Sequence, residues 1–137
     1  MENLKDCFQK LKDSGLKVTP QRLAIVKILE GNTCHPSADK IYNEVKKKYP
    51  MISFATVYKT LKVLAEIGEI QQLKIVEKKV NFDPNTDPHN HFFCKKCREI
   101  RDVFPGKKIN LKEIDGHLIE KYQVYFYGIC SKCRKQN

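Results

Sequence analysis

The chain has 137 residues, which is enough for one large domain or two small ones. Its 26 lysine and arginine residues against 16 acidic residues give a net charge of +10, which favours a polyanionic partner, although lysines that only keep a protein in solution give the same charge. No apolar run is long enough to cross a bilayer and no secretory signal pattern opens the sequence, so we expect a soluble protein of the cytoplasm.

The first half of the chain has the apolar spacing of helices. Helices are predicted over residues 4–14, 20–30, 38–49 and 54–67. Thr19 and Ser53 have the side chains that cap helix N-termini, and Pro20 suits a first helical position. Gly31 and Gly68 follow the last periodic residues of their helices, as C-terminal glycines do.

A β-hairpin is predicted directly after these helices. The segments 70–76 and 79–82 are rich in β-branched and apolar residues and are separated only by Glu77 and Lys78. Helices followed by a hairpin predict a winged helix-turn-helix domain over residues 1–82. Two prolines and four polar residues then predict a hinge over 83–88.

The remaining residues, 89–137, are predicted to form a second, metal-binding domain. Short strands are expected at 91–94, 99–104 and 122–129, with a helix at about 107–120. The fold class is therefore α+β, with a helical first domain and a mixed second domain.

The helix that follows Ser53 is the one that we expect to enter a major groove of DNA. Its apolar stripe leaves small, hydroxyl, aromatic and cationic groups that can touch phosphates and base edges. These candidate DNA-binding residues are Ser53, Ala55, Thr56, Tyr58, Lys59 and Lys62. The alternative is that the ring of Tyr58 covers the core and only its hydroxyl group is in water.

A second group of candidate DNA-binding residues surrounds the start of the helix at Pro20. Free N–H groups at a helix start attract anions such as phosphate. The group consists of Lys17, Thr19, Gln21 and Arg22. The alternative for this group is a capped helix without a ligand.

Two Cys-x2-Cys pairs give the strongest chemical signal in the chain. Four thiolates make a soft tetrahedral donor set, which suits a structural zinc ion. The pairs are Cys94 with Cys97 and Cys130 with Cys133, and they are far enough apart to staple a domain with little core of its own. The alternative is two unrelated reduced pairs, and Cys7 and Cys34 lie outside the pattern.

His89 and His91 are predicted to serve a second metal, because four cysteines already close the first site. Side chains two residues apart on a strand point the same way. Nearby candidate ligands are Asp83, Asp87, Glu99, Asp102 and, before the third helix, His35. Such a nitrogen and oxygen donor set can hold Fe(II), Mn(II) or Zn(II). Ligands from both sides of the hinge would let metal binding fix the arrangement of the domains.

Several stretches together resemble the ferric uptake regulator family of bacterial metalloregulators. The matching stretches are Thr19-Pro20-Gln21-Arg22, His35-Pro36-Ser37-Ala38, Ser53-Phe54-Ala55-Thr56-Val57-Tyr58, His89-x-His91-x2-Cys94-x2-Cys97 and Tyr127-Gly128-Ile129-Cys130-x2-Cys133. The resemblance implies a winged-helix domain that binds DNA and a C-terminal α/β dimerisation domain. It also implies a homodimer that binds a pseudo-palindromic operator in double-stranded DNA and represses transcription.

The resemblance further implies that the four cysteines hold structural zinc and that a regulatory Fe(II) or Mn(II) ion has five ligands. By position these ligands are His35, Asp83, His89, His91 and Asp102. Aspartate rather than glutamate at Asp102 resembles the peroxide-sensing branch. In that branch hydrogen peroxide reacts at the iron and a ligand histidine gains oxygen, here His35 or His89, while Mn(II) reacts only sluggishly.

The sequence therefore predicts a metal-dependent repressor that responds to hydrogen peroxide. The alternative within the same fold is an iron- or zinc-responsive repressor that binds metal reversibly. A metalloenzyme is disfavoured because the sequence shows no acid/base partner and no spare loop for a lid. Peroxide is thus expected as a signal, with no other small-molecule substrate and no membrane partner.

Overall fold

The computed structural model describes residues 4–104, 106 and 111–136. The chain divides between Asp87 and Pro88 into two compact units. Within the described segments, no helix combines the length and the apolar character that are needed to cross a lipid bilayer.

Four helices form most of the first unit, as the apolar spacing predicted. They are α1 (Leu4–Asp13), α2 (Pro20–Leu29), α3 (Ala38–Lys48) and α4 (Phe54–Glu66). Hydroxyl groups cap three of them: Thr19, Ser37 and Ser53 each accept a hydrogen bond from the backbone N–H three residues later. These caps fix where α2, α3 and α4 begin.

The predicted hairpin is confirmed and forms the wing of a winged helix. Strands β1 (Gln71–Val76) and β2 (Lys79–Asp83) pair antiparallel, with Gln71 opposite Asp83. Lys78 takes a left-handed φ of 58° and so allows the tight reversal between the strands. The pairing of the hairpin therefore fixes the position of Asp83, the last residue of β2.

An apolar core stabilises the first unit. It combines residues from all four helices with Ile70 and Phe82 from the wing region. Its fully buried members include Ile25, Val26, Leu29, Ile41, Leu61 and Leu64. Apolar burial at this scale is the dominant stabilising contribution to a small domain.

The second unit is built around a small three-stranded sheet. Its elements in chain order are β3 (Asn90–Cys94), β4 (Ile100–Val103), β5 (Glu113–Ile114), β6 (His117–Leu118), β7 (Tyr125–Gly128) and the one-turn helix α5 (Ser131–Arg134). The sheet order is β4-β3-β7, with β4 antiparallel and β7 parallel to β3. The three predicted strands of this half are confirmed.

The helix predicted at about 107–120 is wrong over 111–120, and residues 107–110 lie outside the described residues. The segment instead forms a hairpin in which Ile114 pairs with His117. Asp115 and Gly116 both have positive φ, 51° and 80°, as the two central residues of a type I′ turn require. The Asp-Gly pair therefore favours a hairpin over a helix.

Candidate metal sites and DNA interface

The four cysteines of the two Cys-x2-Cys pairs lie together in the second unit. One sulfur atom from each of them lies within 4.8 Å of the other three. Cys94 ends β3, and the parallel pairing of β3 with β7 sets Cys94 opposite Gly128. Cys130 then follows as the N-cap residue of α5, and Cys133 lies within that helix. All of these cysteines are reduced.

Backbone N–H groups stabilise negative charge on this cluster. The Sγ atom of Cys94 accepts from the backbone N–H of Cys130 at 3.3 Å and of Cys97 at 3.5 Å. These hydrogen bonds lower the pKa of Cys94 to about 6, the N–H of Cys130 contributing most. The N–H of Cys133 likewise lowers the pKa of Cys130.

The raised pKa of the Cys133 thiol indicates that the cluster needs a cation. Burial and the neighbouring thiols raise the pKa of Cys133 to about 12, so four thiolates are not stable together without positive charge. A divalent ion supplies that charge, and four sulfur donors suit Zn(II). The donor set of this cluster therefore fits structural zinc.

In the first unit, His35 and Asp83 form a buried pair. The Nε2 atom of His35 lies 3.3 Å from Oδ2 of Asp83, and each residue is only 2% exposed. His35 has a left-handed φ of 53°, which is uncommon for a residue with a side chain. A buried imidazole beside a buried carboxylate is a donor pair of the kind that metals use.

Strand β2 holds the backbone of His35 in place. The Nδ2 atom of Asn81 donates to the carbonyl oxygen of His35 at 2.7 Å, and the N–H of Phe82 donates to the carbonyl of Pro36 at 2.9 Å. Ser37 and Asn81 also form an isolated β-bridge. Asp83 follows in the same strand, so β2 positions both members of the pair.

In the second unit, His89 and His91 both turn towards Asp102. Their Nε2 atoms lie 3.2 Å and 3.4 Å from Oδ1 of Asp102, and their ring centroids are 4.5 Å apart. The pairing of β3 with β4 sets His91 opposite Asp102. Two imidazoles and a carboxylate therefore converge within this unit, a nitrogen and oxygen set that fits Fe(II), Mn(II) or Zn(II).

Two other carboxylates that the sequence offered as ligands have different surroundings. Glu99 pairs with Arg101 and is exposed. Asp87 is exposed, and its backbone N–H donates to the side chain of Asn85. The carboxylates that the structure describes beside these histidines are instead Asp83, beside His35, and Asp102, beside His89 and His91.

Helix α4 exposes most of the groups predicted to touch DNA. Ala55, Tyr58, Lys59 and Lys62 are exposed, and Val57, Leu61 and Leu64 are buried behind them. Tyr58 retains 40% exposure, so its ring does not simply cover the core. Ser53 and Thr56 are joined to each other by the cap and by a contact of 2.9 Å between their hydroxyl groups. No acidic residue occurs on α4 before Glu66.

The second predicted DNA-binding group lies around the start of α2. Thr19 caps the helix, and Nη1 of Arg22 donates to the carbonyl of Lys17 at 2.6 Å. Lys17 is exposed, while Gln21 and Arg22 are half-buried. Arg22 thus ties the turn to the helix, and Lys17 is the member of the group that extends into solvent.

Two residues with a place in these sites were missed by sequence reasoning. Asn81 holds His35, and its signal was a residue of low β-propensity between Val80 and Phe82 in the middle of a strand. Phe54 lies at the first position of α4 and remains 41% exposed. Its signal was a large aromatic residue directly after a helix cap.

Comparison with known proteins agrees with this arrangement. The chain is 34% identical to the peroxide operon regulator of Bacillus subtilis, over 97% of this chain and 94% of that protein. It is 32% identical to the peroxide-responsive repressor PerR of Staphylococcus epidermidis, over 97% and 91% of the two chains. The crystal structure of the Campylobacter jejuni peroxide stress regulator has a TM-score of 0.63 and 32% identity, over 97% and 100% of the chains.

The family assignment rests on most of the sequence. Residues 13–127 match the sequence model of the ferric uptake regulator family. That span includes α2, the recognition-helix candidate α4, the wing, both histidine groups and the first Cys-x2-Cys pair. The chain belongs to the ferric uptake regulator family, with a winged-helix DNA-binding domain followed by a smaller α+β domain.

Proposed function

We propose that this protein is a metal-dependent transcriptional repressor that releases DNA in response to hydrogen peroxide. The observation that carries the proposal is that a winged helix and two chemically different kinds of donor group occur in one chain. Four sulfur atoms lie together in the second unit, and histidine and aspartate side chains lie together within each unit. The relatives named as peroxide-responsive repressors support the same function.

The four cysteines are proposed to hold zinc permanently. Cys94, Cys97, Cys130 and Cys133 provide a closed site with no position left for a substrate. The ion would join the end of β3 to α5, and so connect the sheet to the last part of the chain. Its role is to hold the second unit in its fold.

The histidine and aspartate residues are proposed to be ligands of one regulatory Fe(II) or Mn(II) ion. The first unit would contribute His35 and Asp83, and the second unit His89, His91 and Asp102. Within each unit the donor atoms already lie between 3.2 Å and 3.4 Å from their partners. A binding ion would therefore need only small movements of the side chains within each unit.

The response to peroxide is proposed to be an oxidation of ligand histidines. If Fe(II) is bound there, it would supply the electron that starts cleavage of the O–O bond of hydrogen peroxide. Overall, one oxygen atom of the peroxide would be transferred to a carbon of a coordinating imidazole, and the other would leave as water. His35 and His89 are the proposed targets. An oxidised imidazole is a poor ligand, so the ligand set loses a member and the DNA-binding form of the repressor is no longer favoured.

The DNA-binding surface is proposed to be α4 with the start of α2. Exposed Tyr58, Lys59 and Lys62 would face the major groove and its phosphates, and Lys17 would contact a phosphate at the start of α2. We propose that a homodimer in the cytoplasm presents two such helices to a pseudo-palindromic operator. Peroxide is then a signal, and no enzymatic turnover is involved.

The decisive experiment is mass spectrometry of tryptic peptides after Fe(II)-loaded protein meets a small excess of hydrogen peroxide. The expected result is a gain of one oxygen atom on His35 or His89, together with loss of DNA binding in a gel-shift assay. Protein loaded with Mn(II) is the matched control, and we expect it to remain unmodified and bound to DNA.

Retention of iron and DNA by an unmodified protein would contradict peroxide sensing and favour reversible sensing of iron or zinc. Counting regulatory ions tests the shared ligand set separately. We expect one Mn(II) ion per chain, and Asp83→Asn and Asp102→Asn should each abolish its binding. Two Mn(II) ions per chain, each lost with only one of the substitutions, would mean two independent sites.

A further inference from the structure

The start of helix α4 carries an exposed aromatic surface that the proposed contacts do not use. Phe54 occupies the first helical position and is 41% exposed, and the preceding Met51 is 96% exposed. Phe54 lies seven residues before the fully buried Leu61, so it continues the buried stripe of the helix beyond the end of the core. An apolar side chain is therefore left in solvent at the leading end of the helix.

Two aromatic rings pack against Phe54. Its ring is stacked on Tyr58 with centroids 6.2 Å apart and an angle of 24°, and it meets the edge of Tyr42 at 5.6 Å. The Nζ atom of Lys46 lies 5.2 Å from the centre of the Tyr42 ring. Phe54 thus packs against two other rings, and an aromatic side chain has few rotatable bonds to immobilise on binding.

The charges around this ring fit DNA. Lys59 and Lys62 are exposed further along α4, and Lys46 lies beside Tyr42 on α3. The first acidic residue of α4 is Glu66, at its far end. An apolar patch bordered by cations suits a surface that is both anionic and locally apolar. The major groove is such a surface, because its phosphates flank the methyl groups of thymine.

We propose that Phe54 is a specificity-determining residue that contacts the methyl group of a thymine in the operator. In a helix-turn-helix protein the first residues of the recognition helix are those that reach base edges. Phe54 is at that end of α4, and an aromatic side chain is a suitable partner for a thymine methyl group. The proposal rests on the proposed DNA-binding function of α4 and adds a base preference to it.

The test uses a duplex that wild-type protein, loaded with zinc and Mn(II), selects from a random-sequence library. Each thymine of that duplex is then replaced in turn by deoxyuridine, which removes only the methyl group. Removal of one buried methyl group should weaken wild-type binding about fourfold at one position in each half-site. In Phe54→Ala the same replacement should change affinity by less than the error of the measurement.

Two further variants separate base reading from a general loss of binding. Phe54→Leu keeps an apolar side chain and should retain part of the methyl preference. Lys62→Ala should weaken binding to the thymine and deoxyuridine duplexes equally and keep the fourfold ratio. Circular dichroism and zinc content should match wild type in all three variants.

The proposal is overturned if wild-type protein and Phe54→Ala lose the same factor at every deoxyuridine position. It is also overturned if Phe54→Ala destabilises the fold while leaving the methyl preference intact, because Phe54 would then serve only to cover the end of the core. Failure of the wild-type protein to select any duplex would instead contradict the proposed repressor function.

Discussion

The two units of this protein maintain their folds by different means. The first has a continuous apolar core drawn from four helices and the wing. In the second, the buried cluster around β3 and α5 consists of Cys94, Cys130 and Cys133, with Phe92 packed against them. Among the described residues of this unit, Phe93 and Ile100 are the only buried apolar side chains besides the cysteines.

This difference suggests separate roles for the two proposed metal sites. A unit with so little apolar burial depends on ligand bonds for its stability, because hydrophobic burial cannot offset the chain entropy lost on folding. The first unit has an apolar core of its own, so we expect it to stay folded whether or not the proposed ligands His35 and Asp83 bind a metal. Structural zinc and regulatory metal are therefore expected to have unequal effects on stability.

The largest expected effect is that of Cys97→Ser, which tests the dependence of the second unit on zinc. Cys97 is exposed, so the exchange of sulfur for oxygen alters ligation and hardly alters packing. Structural zinc contributes on the order of 10 kcal/mol to the folding of small domains, and most of this would be lost. We expect zinc-free protein whose NMR resonances collapse for residues of the second unit but stay dispersed for α2–α4.

Leu61→Ala in the first unit is the matched control, because it alters core packing and leaves the zinc ligands unchanged. It removes a fully buried side chain from the core and should cost about 2–5 kcal/mol. Zinc content should remain at one ion per chain. A second unit that stays folded in Cys97→Ser would show that its fold does not depend on the metal, and the comparison of the two units would fail.

A smaller effect is expected for Asn81→Ala, which tests whether β2 positions His35. Without the side-chain donor, the buried carbonyl of His35 loses its 2.7 Å hydrogen bond, at a cost of about 1–3 kcal/mol. Because the residue that carries the imidazole is then less well held, Mn(II) affinity should fall about 10-fold to 100-fold. Calorimetric titration of zinc-loaded protein with Mn(II) measures this.

Asn43→Ala is the control for that experiment, since Asn43 is exposed on α3. It should leave Mn(II) affinity unchanged. If Asn81→Ala lowers stability but binds Mn(II) as tightly as wild type, then Asn81 supports the fold and has no part in positioning the ligand.

Local patterns were sufficient to predict most of the fold. The starts of α2 and α4 followed from Thr19 and Ser53, whose side chains cap their own helix N-termini. The helix expected near 107–120 is not formed over 111–120, because Asp115 and Gly116 both take positive φ and make the turn of a hairpin. An Asp-Gly pair is a local signal for such a two-residue loop.

The site was harder to predict, because its details depend on contacts that are distant in the sequence. The spacing of the cysteines identified a zinc cluster, since ligand chemistry is visible in residue type. By contrast, the hydrogen bond from Asn81 to His35 joins residues 46 positions apart. The exposure of Phe54 depends on where the core of the folded unit ends, which the sequence of α4 alone does not show.

Asp102→Glu tests whether the second unit sets the response to peroxide. The extra methylene moves the carboxylate relative to His89 and His91, whose Nε2 atoms lie 3.2 Å and 3.4 Å from Oδ1 of Asp102. Charge is unchanged, so metal-dependent DNA binding should persist. A displacement of about 1 Å in a reacting site can slow a reaction about 100-fold, so histidine oxidation should slow by up to that factor.

Quantitative mass spectrometry at a series of peroxide concentrations measures the oxidation rate in both proteins. Unfolding temperature and zinc content serve as controls and should not change. Equal rates of histidine oxidation in wild type and Asp102→Glu would argue that the carboxylate length at this position does not select peroxide sensing.

The smallest effect is expected for Lys62→Ala, which tests whether DNA affinity belongs to the first unit alone. Lys62 is exposed on α4, and each lysine that contacts a phosphate contributes about 0.9 to the log–log slope of binding against salt concentration, so its two copies in the proposed homodimer contribute about 1.8. The variant should therefore bind more weakly at low salt and show a slope reduced by about that amount. Lys132→Ala, on α5 of the second unit, removes the same charge and should leave the slope unchanged. A reduced slope in Lys132→Ala would mean that the second unit also contacts phosphate. DNA binding would then not belong to the first unit alone.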